Sequence, residues 1–94
     1  MGWADRYIEK LGAGEDVEFQ PSGHSMEPIV KHRQVCEVEP VEIEDLRIGD
    51  VVLCRVAGRV YFHLVKAVGQ GRVQIGNNKG HVNGWTHTVY GRMK

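Results

Sequence analysis

Residues 21–28, with the sequence PSGHSMEP, place the hydroxyl of Ser25 between residues that favour turns. Gly23 can adopt backbone dihedrals that other residues avoid, and Pro28 restricts the residue before it to extended or turn conformations. A segment of this kind can hold Ser25 Oγ at a fixed angle to the body of a small domain, as a nucleophile requires. The same pattern also fits an ordinary loop that enters a short helical turn.

A metal centre is the other chemistry that the residue types allow. The histidines lack the i, i+3 or i, i+4 helical spacing of metal ligands, and the chain has no Cys-x-x-Cys pair. Cys36 and Cys54 lie in apolar, strand-like runs of a chain without a secretion signal, which favours two reduced, buried thiols over a disulfide. We therefore predict no metal and no cofactor. The histidines in question are His24, His32, His63, His81 and His87.

Length and charge narrow the class of protein. Ninety-four residues suffice for a single domain with one hydrophobic core, residues 1–94. The 12 basic and 12 acidic residues balance, which does not resemble the clustered positive charge of a nucleic-acid binder. No apolar run approaches the roughly 20 residues that span a bilayer, and the N-terminus lacks the apolar core of a secretory signal. We expect a soluble, cytoplasmic protein that has no membrane span and does not bind nucleic acid through this domain, and the sequence indicates no oligomeric state.

The first element that could position these groups is a helix. Apolar residues recur at helical intervals and two glycines close the pattern, so residues 1–14 are predicted to form one short amphipathic helix and a turn. The apolar stripe could pack on the domain or on a partner, and packing on the domain is the favoured interpretation. The stripe consists of Trp3, Tyr7, Ile8 and Leu11.

Residues 15–94 are predicted to form a β core. Val60, Phe62 and Leu64 are expected to face one side of their strand, and the residues between them the other. The connection 41–49 is expected to be irregular, with Ile43, Leu46 and Ile48 as apolar anchors, and residues 76–84 to form a loop. The fold class is therefore mostly β, a partly closed antiparallel sheet with one short N-terminal helix. Short strands are predicted at residues 16–20, 34–39, 51–56, 59–67, 72–75 and 87–92, with a two-residue hairpin turn at 57–58.

The order of these segments resembles the serine peptidase superfamily of bacterial type I signal peptidases, the ER signal peptidase and the LexA-type self-cleaving repressors. PSGHSMEP is similar to the nucleophile box of that family, Gly-x-Ser-Met-x-Pro, and this places the nucleophile on Ser25. GDVV at 49–52 looks like the start of the family's next strand, VYFHLV at 60–65 like the strand with the general base, and VYGR at 89–92 like the closing strand. The resemblance runs from about Phe19 to Met93 and implies a sheet of the LexA and signal-peptidase type.

The resemblance places the general base on His63, where bacterial signal peptidases and LexA-type repressors carry lysine and the ER-type branch carries histidine. A serine hydroxyl attacks poorly until a base takes its proton. Histidine is mostly neutral near pH 7, whereas a lysine must be buried before it loses its proton. Lys66 is a rival base, but a three-residue offset on an extended strand points it to the face opposite His63. We therefore expect a Ser25–His63 dyad with the imidazole within hydrogen-bond reach of the hydroxyl.

The resemblance also implies groups that assist the dyad. The backbone N–H of Ser25 is the first candidate donor to an oxyanion, and Ser22 or His24 is the candidate second donor. The histidine branch of the family orients the imidazole with an aspartate, and here His81 stands at that position in the run Lys-Gly-His-Val-Asn. Asn83 or a backbone carbonyl could take this role with lower catalytic power.

Together these expectations describe a small serine endopeptidase that cleaves an extended peptide of a soluble precursor, added as a strand beside the nucleophile loop. The resemblance implies cleavage after a small residue. The sequence shows neither the membrane anchor of a signal peptidase nor the DNA-binding domain of a repressor. It also shows no clear Ala-Gly self-cleavage site, because Ala13-Gly14, the one candidate after the helix, lacks the context of such a site. The alternative is a family member that binds a peptide or protein partner without cleaving it, which His81 in place of the aspartate motivates.

Overall fold

The computed structural model describes residues 2–94, so Met1, the first residue of the predicted domain, lies outside the described residues. Within residues 2–94 the chain forms one α-helix, one 3-10 turn and one antiparallel sheet. The predicted mostly-β antiparallel fold with one short N-terminal helix is therefore confirmed. The elements are α1 (Asp5–Gly12), β1 (Val17–Phe19), β2 (Cys36–Pro40), the 3-10 turn Ile43–Asp45, β3 (Val51–Val56), β4 (Arg59–Val68), β5 (Val73–Gly76), β6 (Val82–Thr86) and β7 (Val89–Met93).

The β3–β4 hairpin forms the centre of the sheet, whose strand order is β1-β2-β7-β3-β4-β5-β6. Ala57 and Gly58 both have positive φ, 49° and 84°, as a two-residue type I′ turn requires. The twist of such a turn matches that of the flanking strands, so β3 and β4 pair continuously from Val56↔Arg59 inwards. The predicted hairpin and its turn are confirmed.

The far end of the sheet curls back toward β3. The hydroxyl of Thr86, on β6, donates to the carbonyl oxygen of Arg55 at 2.6 Å, and the Arg55 N–H donates to Thr88 O at 3.0 Å. Nevertheless β1 and β6 are the two edges of the strand order and do not pair with each other. The sheet is curled but not closed.

The two faces of the sheet carry separate hydrophobic clusters, because successive side chains of a strand point to opposite faces. On β4, Phe62 and Leu64 belong to the cluster that includes α1, whereas Val65 and the half-buried Tyr61 belong to the cluster on the other face. This confirms the predicted alternation. The ring of His63 lies beside Tyr61, with ring centroids 5.1 Å apart.

The helix packs on the sheet, as expected. Leu11 is buried in the first cluster, and Tyr7 and Ile8 pack against it. Gly91 allows this close approach, because a Cβ there would lie 2.7 Å from Glu39 O and 3.0 Å from Leu11 Cδ2. The helix therefore belongs to the core.

Two sequence expectations are wrong. Residues 82–84, expected to belong to the loop 76–84, lie in β6, which pairs with β5 from Val73↔Thr86 to Gly76↔Val82. The pattern hides this strand because it is an edge strand whose apolar residues, Val82 and Trp85, stay 47% and 41% exposed. Ile48, expected as an apolar anchor, is 69% exposed, and Leu46 alone is fully buried in that connection.

The cysteines are buried and not bonded to each other, as predicted. Cys36 belongs to one cluster and Cys54 to the other, so the sheet separates them. Burial raises the pKa of both thiols, that of Cys54 to about 12. Neither thiol is therefore a ready nucleophile near neutral pH. Across residues 2–94 no helix combines the length and apolarity needed to cross a bilayer.

Candidate active site

The loop that carries Ser25 is closed at its base by two hydrogen bonds. The backbone N–H of Gly23 donates to His32 Nδ1 at 2.8 Å, and the N–H of Arg33 donates to Pro21 O at 2.7 Å. Gly23 has a φ of 105°, which residues with a side chain rarely adopt. The backbone conformation of the loop therefore favours glycine at this position. The loop is held in one shape on either side of the serine.

Buried side chains anchor the same loop to the sheet. Met26 and Val30 are 5% and 3% exposed and belong to the cluster that contains Phe62. The Val30 N–H donates to Met26 O at 2.9 Å, which closes a turn directly after Ser25. The serine thus begins a turn whose apolar side is fixed in the core.

Asn78, which sequence reasoning missed, ties the loop to the turn between β5 and β6. Its backbone N–H donates to Ser25 O at 2.9 Å, and its side-chain Nδ2 donates to Glu27 O at 2.8 Å. The partners are about fifty residues apart in the chain, and no local pattern predicts such a contact. The asparagine-rich composition of residues 76–84 indicates a turn there and nothing about what the turn holds.

His63 is oriented by Asn83, because His63 Nδ1 lies 2.8 Å from Asn83 Oδ1. An amide oxygen only accepts hydrogen bonds, so Nδ1 carries the proton and donates. The other ring nitrogen, Nε2, then keeps its lone pair and can act as a base. This is the tautomer that a general base beside a serine requires.

The surroundings of His63 favour its neutral form. Burial lowers the pKa of the imidazole below its ordinary value of 6.5, the hydrogen bond to Asn83 opposes this, and the charge of His81 lowers it further. The net effect is to lower the pKa of His63. The ring therefore stays neutral to a lower pH than the ring of a free histidine does. A neutral ring is the form that can accept a proton from an alcohol.

Ser25 and His63 line the same cavity, whose volume is about 460 Å³. Ser22 lines it too, and so do residues of α1, β1 and β4. Among the hydrogen bonds within residues 2–94 none joins Ser25 to His63. The catalytic hydrogen bonds of peptidases are often long before substrate binds, so this geometry is compatible with a dyad that tightens on binding.

The cavity lies along an open stretch of β4. Only residues from Leu64 onward pair with β5, whereas β3 pairs with β4 along residues 59–64. The N–H and C=O of Val65 bond toward β3, to Asp50 O and Gly49 N. Because these groups alternate along an antiparallel strand, those of Val60 and Phe62 point away from β3, to the unpaired edge. This edge offers backbone donors and acceptors beside the cavity.

Two other residues predicted to lie at the site, His24 and His81, have different surroundings from Ser25 and His63. The ring of His24 is exposed, stacks on His32 with centroids 5.0 Å apart, and has its Nδ1 2.8 Å from Glu27 Oε1. It does not line the cavity. His81 lies in the turn that Asn77 closes, where its N–H donates to Asn77 Oδ1 at 3.0 Å. Its charge lowers the pKa of His63, and within residues 2–94 no hydrogen bond joins the two side chains.

Lys66, the rival base, does not line the cavity. The pairing of β4 with β5 shifts register between Val65 and Ala67, so Lys66 is the extra residue of a bulge. Its side chain lies across Gly76, where a Cβ would be 3.1 Å from Lys66 Cγ. The bulge interrupts the strict alternation from which we predicted that Lys66 faces away from His63. Lys66 nevertheless lies outside the cavity that Ser25 lines.

Within residues 2–94 no group of three or more His, Cys, Asp and Glu side chains is arranged to hold a metal ion. The cavity brings two serines, Ser22 and Ser25, together with an imidazole that Asn83 orients. No family model, no curated protein and no solved structure matches this chain.

Proposed function

We propose that the protein is a serine endopeptidase of the signal-peptidase and LexA-like superfamily, with Ser25 as nucleophile and His63 as general base and acid. The observation that carries the proposal is the shared cavity, into which the structure brings Ser25 and a histidine whose Nδ1 is occupied by Asn83. The buried thiols offer no competing nucleophile. The cytoplasmic location and the soluble precursor stay predictions from the sequence.

The substrate is an extended peptide that pairs with the open edge of β4. The backbone groups of Val60 and Phe62 that point to this edge can bond to a peptide strand as they would to a neighbouring strand. Such pairing recognises the backbone of the peptide, so the specificity has to come from contacts with the peptide's side chains. It also lays the peptide across the cavity that Ser25 lines.

In the reaction, Ser25 Oγ attacks the carbonyl carbon of the scissile bond while His63 Nε2 takes the hydroxyl proton. The Ser25 N–H is the candidate donor to the oxyanion, and Ser22, which lines the cavity, is the candidate second donor. The imidazolium then gives its proton to the leaving amine, and water hydrolyses the acyl-enzyme by the same steps in reverse. Asn83 holds the ring in the required tautomer throughout.

The test is to incubate the protein and its Ser25→Ala variant with a broad peptide library and to identify products by mass spectrometry. We expect cleavage after small residues by the parent protein and a loss of at least about a thousandfold in the variant. Equal cleavage by both proteins, or none by either, would contradict the proposal.

The second candidate is a module of the same family that binds a peptide without cutting it. The group that orients His63 is the neutral amide of Asn83 rather than a carboxylate, and the charge of His81 disfavours the imidazolium that catalysis must form. If the protein binds a peptide but its Ser25 does not react with a fluorophosphonate, the result would favour the binding module over the enzyme.

A further inference from the structure

An aromatic cluster forms one wall of the cavity, and it brings together three elements of the chain. Phe19 of β1 lies at its centre, 5.0 Å from Phe62 on β4, 4.9 Å from Tyr7 on α1 and 5.8 Å from Trp3, measured between ring centroids. All four rings line the cavity. The helix thus contributes to the wall as well as to the core.

The four aromatic side chains of this wall differ in solvent exposure. Phe19 and Phe62 are buried, at 7% and 6% exposed, whereas Trp3 is 56% exposed. An exposed indole beside buried aromatic rings gains contact and loses water when an apolar group packs against it. A methyl group would leave most of a 460 Å³ cavity unfilled, while a larger side chain could reach several of the rings.

The open edge of β4 determines which side chains of a peptide would reach the wall. A residue directly opposite Phe62 in an added strand points to the same face as Phe62. Its two neighbours point to the other face, which His63 and Tyr61 share. Every second residue of the peptide would therefore face the aromatic wall, and the residues between would face the imidazole.

The charge of the cavity adds a second requirement. Lys31 lines it, and no Asp or Glu does. Within residues 2–94 the Lys31 ammonium forms no ion pair, in contrast to Lys94, whose Nζ lies 2.6 Å from Asp16 Oδ2. A peptide with an acidic residue near this rim would meet an unpaired positive charge, and a basic one would be repelled.

We propose that Trp3, Tyr7, Phe19 and Phe62 form a subsite for a large apolar side chain of an extended peptide that carries acidic rather than basic neighbours. This inference rests on the proposed binding of a peptide in the same cleft. It is independent of whether the peptide is then cut. Trp3 and Tyr7 are specificity residues supplied by the N-terminal segment, and the small residue implied for the cleavage site would occupy a neighbouring position of the peptide.

The experiment measures binding without turnover, in the full chain with Ser25→Ala. Fluorescein-labelled heptapeptides of alanine and threonine, each with one Phe, Trp or Leu, are compared by fluorescence anisotropy with a peptide that has none. We expect each apolar residue to lower Kd by at least about fivefold, with Glu beside it lowering Kd and Lys raising it. Trp3→Ala should abolish the preference.

Trp85→Ala is the matched control, because Trp85 is also an exposed tryptophan but lies beside Arg72 and outside the cavity. It should leave the preference unchanged. The inference is overturned if the peptides bind equally, if none binds, or if both tryptophan variants weaken binding alike. Preferential binding that depends on Trp3 supports it even where the parent protein cleaves nothing, and cleavage of alanine peptides without this preference overturns it while the peptidase proposal stands.

Discussion

The two halves of β4 share one alternating pattern but have different surroundings. The half from Leu64 onward pairs with β3 or the residues before it on one side and with β5 on the other. Within residues 2–94, the half formed by residues 60–63 pairs with no strand other than β3, and it lines the cavity with Ser25. The half from Leu64 onward holds the sheet together. Residues 60–63 instead present a candidate base, His63, and backbone groups that face an open edge.

The difference arises from β5, which is four residues long and pairs only with the far half of β4. The bulge at Lys66 lies within the paired half and shifts its register. The chain therefore leaves the sheet open beside the cavity that Ser25 lines, and it places Asn83, on the strand after β5, against His63. A site on a strand can thus be built by ending the neighbouring strand early.

The largest expected effect comes from proline at adjacent positions of the open half. The Tyr61 N–H points to β3, so Tyr61→Pro removes a ladder hydrogen bond and should lower the free energy of unfolding by about 3 kcal/mol. The Val60 N–H points to the open edge, where proline is tolerated, so Val60→Pro should cost clearly less and should instead weaken peptide binding.

Urea unfolding and peptide anisotropy measure the two quantities for each variant. A Val60→Pro protein that is as unstable as Tyr61→Pro would show that this edge is paired, and the comparison between the halves would fail. Unchanged peptide binding by a stable Val60→Pro protein would show that no strand is added there.

A smaller effect is expected when the partner of His63 is changed. Asn83→Ala removes one hydrogen bond to the ring, worth about 1 kcal/mol, so cleavage should slow by roughly fivefold to tenfold. Asn83→Asp should keep the tautomer and raise the pKa of His63 through its negative charge. The acid limb of the pH–rate profile should therefore move to higher pH.

Steady-state rates against pH for the three proteins check this prediction. Equal rates and identical profiles for Asn83→Ala, Asn83→Asp and the parent would mean that Asn83 does not orient a working base. Urea unfolding of the same variants serves as the control for a general loss of structure.

Local patterns predicted the parts of the fold that depend on neighbouring residues. The β3–β4 hairpin follows from Ala57-Gly58 between two apolar runs, and α1 follows from apolar residues at helical spacing. The edge strand β6 was missed because its apolar side chains remain exposed and do not alternate with burial. Strand pairing at an edge depends on the partner strand more than on the sequence of the strand itself.

For the candidate site, too, the sequence predicted the local segments but not the contacts between residues far apart in the chain. The nucleophile loop and the histidine strand were identified as segments, and Asn83 was one of the groups proposed to hold the imidazole. The bonds from Asn78 to the loop and the position of Trp3 over Phe19 join residues far apart in the chain. Such contacts result from how the sheet curls, which periodicity in one sequence does not encode.

The most direct test of the central claim, that His63 activates Ser25, is the rate at which a fluorophosphonate labels Ser25 as a function of pH. Protonated His63 cannot take the hydroxyl proton, so the rate should fall as the pH drops through a midpoint below 6.5 and should be level above it, because burial lowers the pKa of the ring. His63→Gln should slow labelling by about a hundredfold or more. Labelling that is absent from the parent protein, or that proceeds equally fast in the parent and in His63→Gln, would contradict the account.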